Sequence, residues 1–477
     1  MGSATQSERT ADEEAVELAS RPESSGSLYR VLWRWHFYAG VLISPILLIV
    51  TLTGALYIFH SEIEDLGHAR LRFVTPEPGA SRANTDAIVA AAKASEPSLN
   101  AVSLELRAEP NRAAIVRMGP AGAKGRDASP VAVYVDPYKA SVVGSFDSRA
   151  GDGVSEFFDV VLVIHRQLLA GTTGRILVEL TVGWTIVLMV TGVYLWWPKK
   201  RGQTLGVWWP RLHGKLYTIL RDLHTVLGIY LLAPIAIIVV TGLFYTVVWS
   251  EAFHLATRSK EAAAAEAKAQ SKGKGKSRAR AENPSPKEPA ATPTPTHPLL
   301  TLEQVKDLSL KGYPGRNLLI SLADKPGGGI AVGAANDYNN SYGPFVSAQF
   351  EIDRVSGKIG PVKTLAEDHR YWWHGWVYTL HVGSFYGPTT KVIWFVSCMI
   401  LSGLPITGLW MWWVRRPKGR SGFPRRPNRR MTAGLLATIV GLALILPVLG
   451  ASMIAIAVGE SVYLFSRRRL RKLPASA

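Results

Sequence analysis

"WHFYAGVLISPILLIVTLTGALY" (residues 35–57) and "LHTVLGIYLLAPIAIIVVTGLFY" (residues 223–245) are two apolar stretches of the same length and the same pattern. In each, a histidine at the second position is followed by one glycine four residues later and another eighteen residues later. A helix needs about 20 apolar residues to cross the hydrocarbon core of a bilayer, so each stretch is long enough to span it. The sequence therefore predicts a membrane protein with an internal repeat.

Two further apolar segments repeat in the same way. His165 and His381 are each followed by a glycine 27 residues later and by a tryptophan 31 residues later. Both copies of the repeat run in the same direction along the chain. A parallel repeat of this kind implies a pseudo-twofold axis along the membrane normal, which brings equivalent residues towards each other.

The polar segments between the apolar stretches also correspond. "VYVDPYKASVVG" (133–144) resembles "FEIDRVSGKIG" (350–360), since each contains an apolar strand, an acidic turn and a second strand. A short helix is expected ahead of each, at about 84–95 and 301–309, together with two strands of alternating apolar residues. The repeated unit is therefore a membrane helix, a small α+β domain and a second membrane helix.

The composition agrees with a membrane protein that carries sizeable soluble segments. Of the 477 residues 47% are hydrophobic, and the mean hydropathy is +0.11, which is too apolar for an ordinary soluble enzyme. The net charge is +18, but the Lys and Arg residues cluster beside apolar segments, as topology signals do, so no nucleic-acid partner is expected. The single cysteine, Cys398, excludes an intrachain disulfide and a zinc site built on several thiolates.

The basic clusters assign the orientation in the bilayer. They all fall on one side if the N-terminus is cytoplasmic and the last apolar stretch, which contains Pro447 and Gly450, is a hairpin. We therefore expect a multi-pass membrane protein with a cytoplasmic N-terminus and core crossings at about 35–59, 176–197, 225–249 and 392–414. The expected order is a disordered cytoplasmic tail (1–27), a first span (28–61), a first outer domain (62–150), a pre-span helix and second span (151–198), a cytoplasmic loop (199–221), a third span (222–250), a disordered basic Ala/Pro spacer (251–297), a second outer domain (298–365), a pre-span helix and fourth span (366–414), a basic cytoplasmic loop (415–431), a hydrophobic hairpin (432–466) and a basic cytoplasmic tail (467–477).

The repeat sorts the eleven histidines. His36 matches His224, and His165 matches His381, whereas the other seven have no counterpart at the equivalent position. Two histidines that face each other across a helical bundle can give the two axial ligands of a six-coordinate haem iron. Because no CxxCH motif is present for covalent attachment, the two pairs predict two haem b groups, one towards each face of the membrane.

Other uses of these histidines stay open. They could be interfacial residues, or they could bind zinc or copper, although the core crossings offer only Glu179 as a carboxylate ligand. His60, at the outer end of the first crossing, is the nearest rival ligand. Four glycines would let a flat macrocycle or a neighbouring helix approach closely: Gly40, Gly54, Gly228 and Gly242. Three arginines close to the ligand candidates could meet haem propionates: Arg34, Arg166 and Arg221.

The stretch "HRYWWHGWVYTLHVG" (369–383) gathers histidines and aromatic residues just before the fourth crossing. His381 is the ligand candidate in it. The residues upstream are candidates for contact with a bulky chelate substrate: Arg370, Trp372, Trp373 and His374. Arg370, together with Lys391, would attract a negatively charged chelate. The alternative is an aromatic belt at the level of the lipid headgroups.

The four histidine segments read "WRWHFYAG…TGALY", "IHRQLLAGTTGRI…TGVYLWWPKKR", "DLHTVLGIY…TGLFY" and "TLHVGSFYG…TGLWMWWVRRP". They resemble the bacterial PepSY-associated transmembrane helix family, over roughly residues 28–470 apart from the spacer. With the repeat, this resemblance implies an α-helical membrane bundle of four core helices in a parallel tandem repeat, a C-terminal hydrophobic hairpin and two small periplasmic α+β PepSY-like domains. The resemblance also implies the activity of an inner-membrane dihaem reductase of ferric siderophores.

The leading interpretation is therefore a ferric reductase-type oxidoreductase that carries electrons from the cytoplasmic to the periplasmic face for iron uptake. No GxGxxG motif follows a predicted strand, so a fused flavin or nicotinamide module is not expected. Electrons would come from a membrane quinol or a separate reductase, and the acceptor would be a ferric siderophore or another ferric chelate. Two interpretations without redox chemistry stay open: a membrane-anchored PepSY binding or regulatory protein, and a permease with a path between the repeats.

Overall fold

The computed structural model describes most of the chain between residues 24 and 470. The described residues are 24–120, 129–147, 151, 153–198, 202–257, 299–322, 329–335, 348–364, 377–416, 422–424 and 433–470. The chain folds as two compact units. Unit 1 comprises Met1–Leu48, Glu179–Ala236 and Ile400–Ala477, and unit 2 comprises Ile49–Val178 and Ile237–Met399.

Most of the described residues outside the sheet are helical. In chain order the helices are α1 (Ser24–Ile58), α2 (His60–Gly67), α3 (Ala69–Arg72), α4 (Thr85–Ser95), α5 (Gly153–Gln167), α6 (Gly171–Trp196), α7 (Leu216–Tyr230), α8 (Leu232–Gly242), α9 (Val248–Thr257), α10 (Leu302–Gly312), α11 (Pro388–Arg415), α12 (Ala433–Ile445) and α13 (Pro447–Leu470). A further short helix covers 377–382.

Three of these helices are long and apolar enough to cross a membrane: Leu28–Ile58 within α1, α6, and α11. They correspond to the predicted first, second and fourth crossings. Proline residues lie inside α1 and α11, at Pro45 and Pro405, without ending either helix. The prediction of a helical membrane protein is confirmed.

The predicted third crossing is not one straight helix. Helix α7 and the segment Leu232–Tyr245 meet at an angle of 68°, and only as a bent pair do they have the length and apolarity of a span. Pro234 explains where the break falls. A proline ring clashes with the carbonyl of the residue four positions earlier, which here is Tyr230, the last residue of α7.

The last apolar stretch, predicted as a hairpin at 432–466, forms two helices separated at Leu446. Pro447 begins α13, as expected for a residue that has no N–H to donate and a fixed φ. Within unit 1, α13 packs on α6. Trp184 Nε1 lies 3.1 Å from Ser452 Oγ, and a Cβ on Gly183 would lie 3.1 Å from Leu449 Cβ.

Helices occupy part of each of the two segments that were predicted to be disordered. Helix α1 already starts at Ser24, although the tail was expected to reach residue 27. Helix α9 continues to Thr257, although the spacer was expected to begin at residue 251. Phe253 explains the second difference, because it stacks on Trp249 at 5.2 Å and extends the apolar helix. The remainder of both segments lies outside the described residues.

The soluble part of unit 2 is built on one antiparallel eight-stranded sheet with the order β4-β3-β2-β1-β5-β6-β7-β8. The strands are β1 (Asn100–Leu106), β2 (Ala114–Gly119), β3 (Val131–Val135), β4 (Val142–Asp147), β5 (Asn317–Ser321), β6 (Gly329–Ala335), β7 (Ala348–Asp353) and β8 (Lys363–Thr364). Helix α4 precedes the first four strands and α10 precedes the second four, close to the positions predicted from sequence.

The sequence predicted two separate outer domains, and in this respect the structure differs. Strands β1 and β5 pair antiparallel, with Leu104 opposite Ile320, so the two halves share one sheet. The physical reason is that each four-stranded half would otherwise expose an unpaired edge strand. The two helices also cap each other. Glu303 Oε2 accepts from Thr85 N at 2.7 Å, and Asp86 Oδ1 accepts from Leu302 N at 3.0 Å.

Candidate functional site

His36 and His224 lie opposite each other in unit 1, and we call them the first pair. His36 is on α1 and His224 is on α7. Their ring centroids are 6.3 Å apart, and the ring planes make an angle of 78°. Both side chains are half-buried. The structure thus brings together two residues that the sequence repeat had matched.

His165 and His381 lie opposite each other in unit 2, and we call them the second pair. His165 is near the end of α5, and His381 is in the short helix 377–382. Their ring centroids are 6.2 Å apart, and the ring planes make an angle of 52°. Both side chains are half-buried. The helices that carry the second pair are thus separate from the candidate span helices α6 and α11 that follow them.

Sharp turns follow the two helices that carry the second pair. Leu168 and Leu169 have φ values of 50° and 57°, which are uncommon for residues with a Cβ. After His381 the turn contains Gly383, with φ 72°, and a Cβ there would lie 2.6 Å from Trp394 Cγ. Trp394 in turn donates from Nε1 to the carbonyl of Leu380 at 2.7 Å. The turn after His381 therefore packs against the start of α11.

A threonine on a neighbouring helix lies beside Nδ1 of each imidazole. In the first pair, the distance to Thr Oγ1 is 2.9 Å for His36–Thr191 and 3.0 Å for His224–Thr407. In the second pair it is 3.4 Å for His165–Thr53 and 3.1 Å for His381–Thr241. Each of the four threonines occupies the equivalent position in its copy of the repeat.

A glycine follows each of these threonines, and its missing side chain makes room for the imidazole. A Cβ built on the glycine would lie close to the Cε1 atom of the ring. The Cβ–Cε1 distance would be 2.9 Å for Gly54–His165, 3.3 Å for Gly242–His381, 3.4 Å for Gly192–His36 and 3.7 Å for Gly408–His224. The pockets of the second pair are therefore tighter than those of the first.

The four glycines predicted to admit a macrocycle or a neighbouring helix face two kinds of side chain. The space at Gly54 and Gly242 is taken by imidazole rings. Gly40 instead faces Leu188, and Gly228 faces Leu404, at 3.9 and 3.7 Å from an added Cβ. Small residues at such positions allow helices to approach closely, which is the alternative that the sequence had left open.

The spacing within each pair fits a metal ion bound between two imidazoles. Imidazoles that bind one ion from opposite sides, through bonds of about 2 Å, have ring centroids about 6 Å apart. Among the described residues, no group of three or more His, Cys, Asp or Glu could hold a metal ion. Zinc usually takes three or four protein ligands, whereas haem iron takes two axial ligands. The residues present therefore fit haem.

Both pairs lie in a part of the chain that matches a known protein family. A family described as the PepSY-associated TM region matches residues 33–415, which include all four histidines. The chain belongs to the PepSY-associated transmembrane family. None of the curated proteins compared with the chain gave a match. The resemblance stated from the sequence motifs is thereby confirmed.

The three arginines predicted as propionate contacts of this PepSY-associated protein have different surroundings. Arg221 is paired with Asp222 at 2.5 Å, and the same carboxylate binds Arg211 at 2.6 Å. Arg34 has a buried Nε without a hydrogen-bond partner in the described part of the chain. It is two residues from His36, however, and so points about 200° away around the helix. Arg166 is exposed beside His165. Contact with propionates stays a prediction for all three.

The substrate-contact candidates Arg370, Trp372, Trp373 and His374 lie outside the described residues, so their role stays a prediction. Lys391 is described, and the prediction that it attracts a chelate is wrong. Its Nζ is buried and lies 2.6 Å from Glu62 Oε1. Burial raises the pKa of Glu62, but the hydrogen bond and charge of Lys391 outweigh it, so this pKa lies below its usual value.

His60, the rival ligand, is engaged at the end of the first crossing. Its ring stacks on Tyr57 with centroids 4.2 Å apart, and its Nδ1 lies 2.8 Å from the Tyr57 carbonyl.

The threonines beside the paired histidines were not singled out from sequence. A signal for them was nevertheless present, because a Thr-Gly dipeptide stands in each of the four quoted motifs.

Proposed function

We propose that this PepSY-associated protein is a dihaem b electron-transfer protein of the inner membrane. It would reduce ferric iron at the periplasmic face, bound in a siderophore or another ferric chelate, for iron uptake. The observation that supports this most is the spacing of the two histidine pairs, with ring centroids 6.3 and 6.2 Å apart. A membrane-anchored regulatory protein or a permease gives no reason for two such pairs at repeated positions.

The residues that would hold the haems follow from the pairs. His36 and His224 would bind one iron, and His165 and His381 the other. The glycines beside the rings leave each imidazole room to stand between two helices, and the threonines hold it at Nδ1. When bound, haem supplies one-electron transfer at each site. With two histidines on each iron, no position would stay open for a substrate to bind, which suits electron transfer rather than bond-making chemistry.

The number of electrons transferred to each ferric ion limits which electron donors are suitable. Each ferric ion takes one electron and becomes ferrous, while the chelate keeps its own atoms. A membrane quinol would release two electrons and two protons, and so would serve two ferric ions. A separate reductase could supply the same electrons one at a time. Reduction matters because ferrous iron is held less tightly than ferric iron by hard oxygen ligands, which frees it from the chelate.

The remaining parts of the chain have assigned places in this proposal. Helices α1, α6, α7 with α8, and α11 form the four core crossings of the tandem repeat, with the N-terminus in the cytoplasm. The halves α4 with β1–β4 and α10 with β5–β8 are the two PepSY-like domains, joined edge to edge, and they face the periplasm. The basic loops after α6 and α11 lie on the cytoplasmic side, as their charge favours.

Anaerobic mixing of the reduced protein with a ferric chelate tests the function. The protein, reduced with dithionite and freed of excess reductant, should be reoxidised by a ferric siderophore, and ferrozine should trap one Fe(II) for each haem oxidised. The same siderophore loaded with Ga(III) is the matched control, since gallium has the same charge and a similar size but accepts no electron. Haem that no ferric chelate reoxidises would remove the reductase proposal.

A further inference from the structure

We infer that Thr53, Thr191, Thr241 and Thr407 are positioning residues that fix the tautomer of the four paired histidines and tune the iron between them. The inference rests on the proposed function, because it assigns a role towards the haem that these pairs would hold. Each threonine stands directly before the glycine that makes room for the ring. The same device therefore occurs at all four histidines, on both pairs.

The protons of the threonine hydroxyl groups are already committed along their own helices. Thr191 Oγ1 donates to the carbonyl of Val187 at 2.7 Å, and Thr407 Oγ1 donates to that of Gly403 at 2.9 Å. A hydroxyl has one proton to donate and can accept as well. The oxygen that faces His36 or His224 is therefore an acceptor, and Nδ1 of the imidazole must carry the proton.

The second pair leads to the same tautomer by a separate route. His165 Nδ1 lies 2.9 Å from the carbonyl oxygen of Val50, and His381 Nδ1 lies 3.1 Å from that of Ile238. A carbonyl oxygen can only accept, so Nδ1 is again the protonated nitrogen. Val50 and Ile238 each stand three residues before the threonine of their own helix. The hydroxyl and the carbonyl together form one acceptor site.

This tautomer leaves Nε2 of every paired histidine with a free lone pair, which is the atom that an axial ligand must offer. Donation from Nδ1 to an outer acceptor also fixes the orientation of the ring and increases the basicity of the ligand nitrogen. A more basic ligand stabilises ferric over ferrous iron and so lowers the reduction potential. Loss of the acceptor should therefore raise the potential and weaken haem binding.

Substitutions at Thr191 separate the hydrogen bond from simple packing. Thr191→Val keeps the shape but removes the hydroxyl acceptor, and we expect an upward shift of one midpoint potential and about 10–100-fold weaker haem binding. Thr191→Ser keeps the hydroxyl and should restore the wild-type values. Thr185→Val is the matched control, because Thr185 lies on the same helix and makes the same bond to a carbonyl four residues back, Thr181 O at 2.7 Å.

Spectroelectrochemical titration of the purified, haem-loaded variants gives the readout. An upward shift in Thr191→Val, absent from Thr191→Ser and Thr185→Val, supports the inference, and Thr407→Val should repeat it. Equal potentials in Thr191→Val and Thr185→Val would overturn the positioning role and leave the proposed function standing. A shift of equal size in Thr191→Ser would also overturn it, since it would assign the effect to packing. A wild-type protein that binds no haem would remove both the proposed function and this inference.

Discussion

The two histidine pairs have the same kinds of neighbouring residue, but the angle between their rings and the closeness of packing around the rings differ. In both, a Thr-Gly dipeptide on a neighbouring helix lies against the imidazole, and the ring centroids are 6.3 and 6.2 Å apart. The rings of the first pair cross at 78°, whereas those of the second cross at 52°. Equal spacing with unequal ring angles indicates that the repeat preserves the distance between the two rings more strictly than their rotation.

The surroundings explain why the second pair is the tighter one. Its histidines stand within two residues of the ends of their helices, just before left-handed turns. Its glycines are also the closest to the rings, with Gly54 only 2.9 Å from His165 as measured from an added Cβ. The first pair stands within α1 and α7, and its glycines are at 3.4 and 3.7 Å. We therefore expect the second pair to tolerate substitution less well than the first.

Removal of a ligand gives the largest expected effect and tests whether there are two separate sites. His36→Ala and His224→Ala should each abolish one haem, and the same one, because both would supply ligands to it. His165→Ala and His381→Ala should each abolish the other. Pyridine haemochrome assays and low-temperature visible spectra of the four purified variants measure which haem remains.

His60→Ala is the matched control for these variants, since His60 stacks on Tyr57 and has no match in the repeat. It should keep both haems. The pairing would be contradicted if all four variants lost one shared centre, or if His60→Ala had the effect expected of His165→Ala.

Substitution of the glycines tests whether the second pair is packed more tightly than the first. Gly54→Ala forces the His165 ring to move, because 2.9 Å is closer than a Cβ can approach, whereas Gly408→Ala adds only an ordinary contact at 3.7 Å. In Gly54→Ala we expect about 10–100-fold weaker binding of haem at the second pair. In Gly408→Ala we expect near wild-type binding of haem at the first pair. Haem dissociation into apomyoglobin measures both. Equal losses in the two variants would refute the difference in tightness.

Substitution of Asp65 should have a smaller effect, and only on the stability of the unit that contains the second pair. It lies on α2 in unit 2 and binds Arg72 at 2.7 Å and Arg112 at 2.5 Å. Asp65→Asn should lower the stability of this unit by about 1–2 kcal/mol and should leave the spectrum of the first haem unchanged. Thermal unfolding, followed separately at the bands of the two haems, measures this. The control is Glu77→Gln, whose partner Lys139 is exposed and 3.6 Å away.

The effect of Asp65→Asn should depend on pH in a defined direction. Burial raises the pKa of Asp65, but hydrogen bonds and charges from Arg112 and Arg72 outweigh it, so this pKa is lowered. Its contribution to stability is therefore present above the usual pKa of an aspartate and is lost as the pH falls through the lower value in the folded protein. The wild type and Asp65→Asn should converge in acid. A difference that grows in acid would contradict the ion pair.

Much of the arrangement of the candidate site followed from spacing. Residues at equal positions in two copies of a repeat lie at equal depths, so the matching of His36 with His224 and of His165 with His381 needed no structure. The threonines were harder to find. Their role depends on which way each ring turns and on where the hydroxyl proton goes, and neither can be counted along a sequence.

The parts of the fold that the sequence did not predict depend on contacts between distant segments or on a single residue. The joined sheet requires β1 and β5, more than 200 residues apart, to meet at their edges. The bend in the third crossing follows from Pro234, yet Pro45 lies inside α1 without ending it. Lys391 looked like a surface charge because its partner, Glu62, lies far away in the chain.

The haem content of the wild-type protein decides whether both histidine pairs bind haem. We expect two haems per polypeptide by pyridine haemochrome assay, both extracted completely by acidified acetone, because each pair would supply two ligands and no CxxCH motif is present. A ratio of one would leave one pair without its assigned function. A ratio of zero, or haem that stays on the polypeptide after extraction, would contradict two non-covalent haem sites.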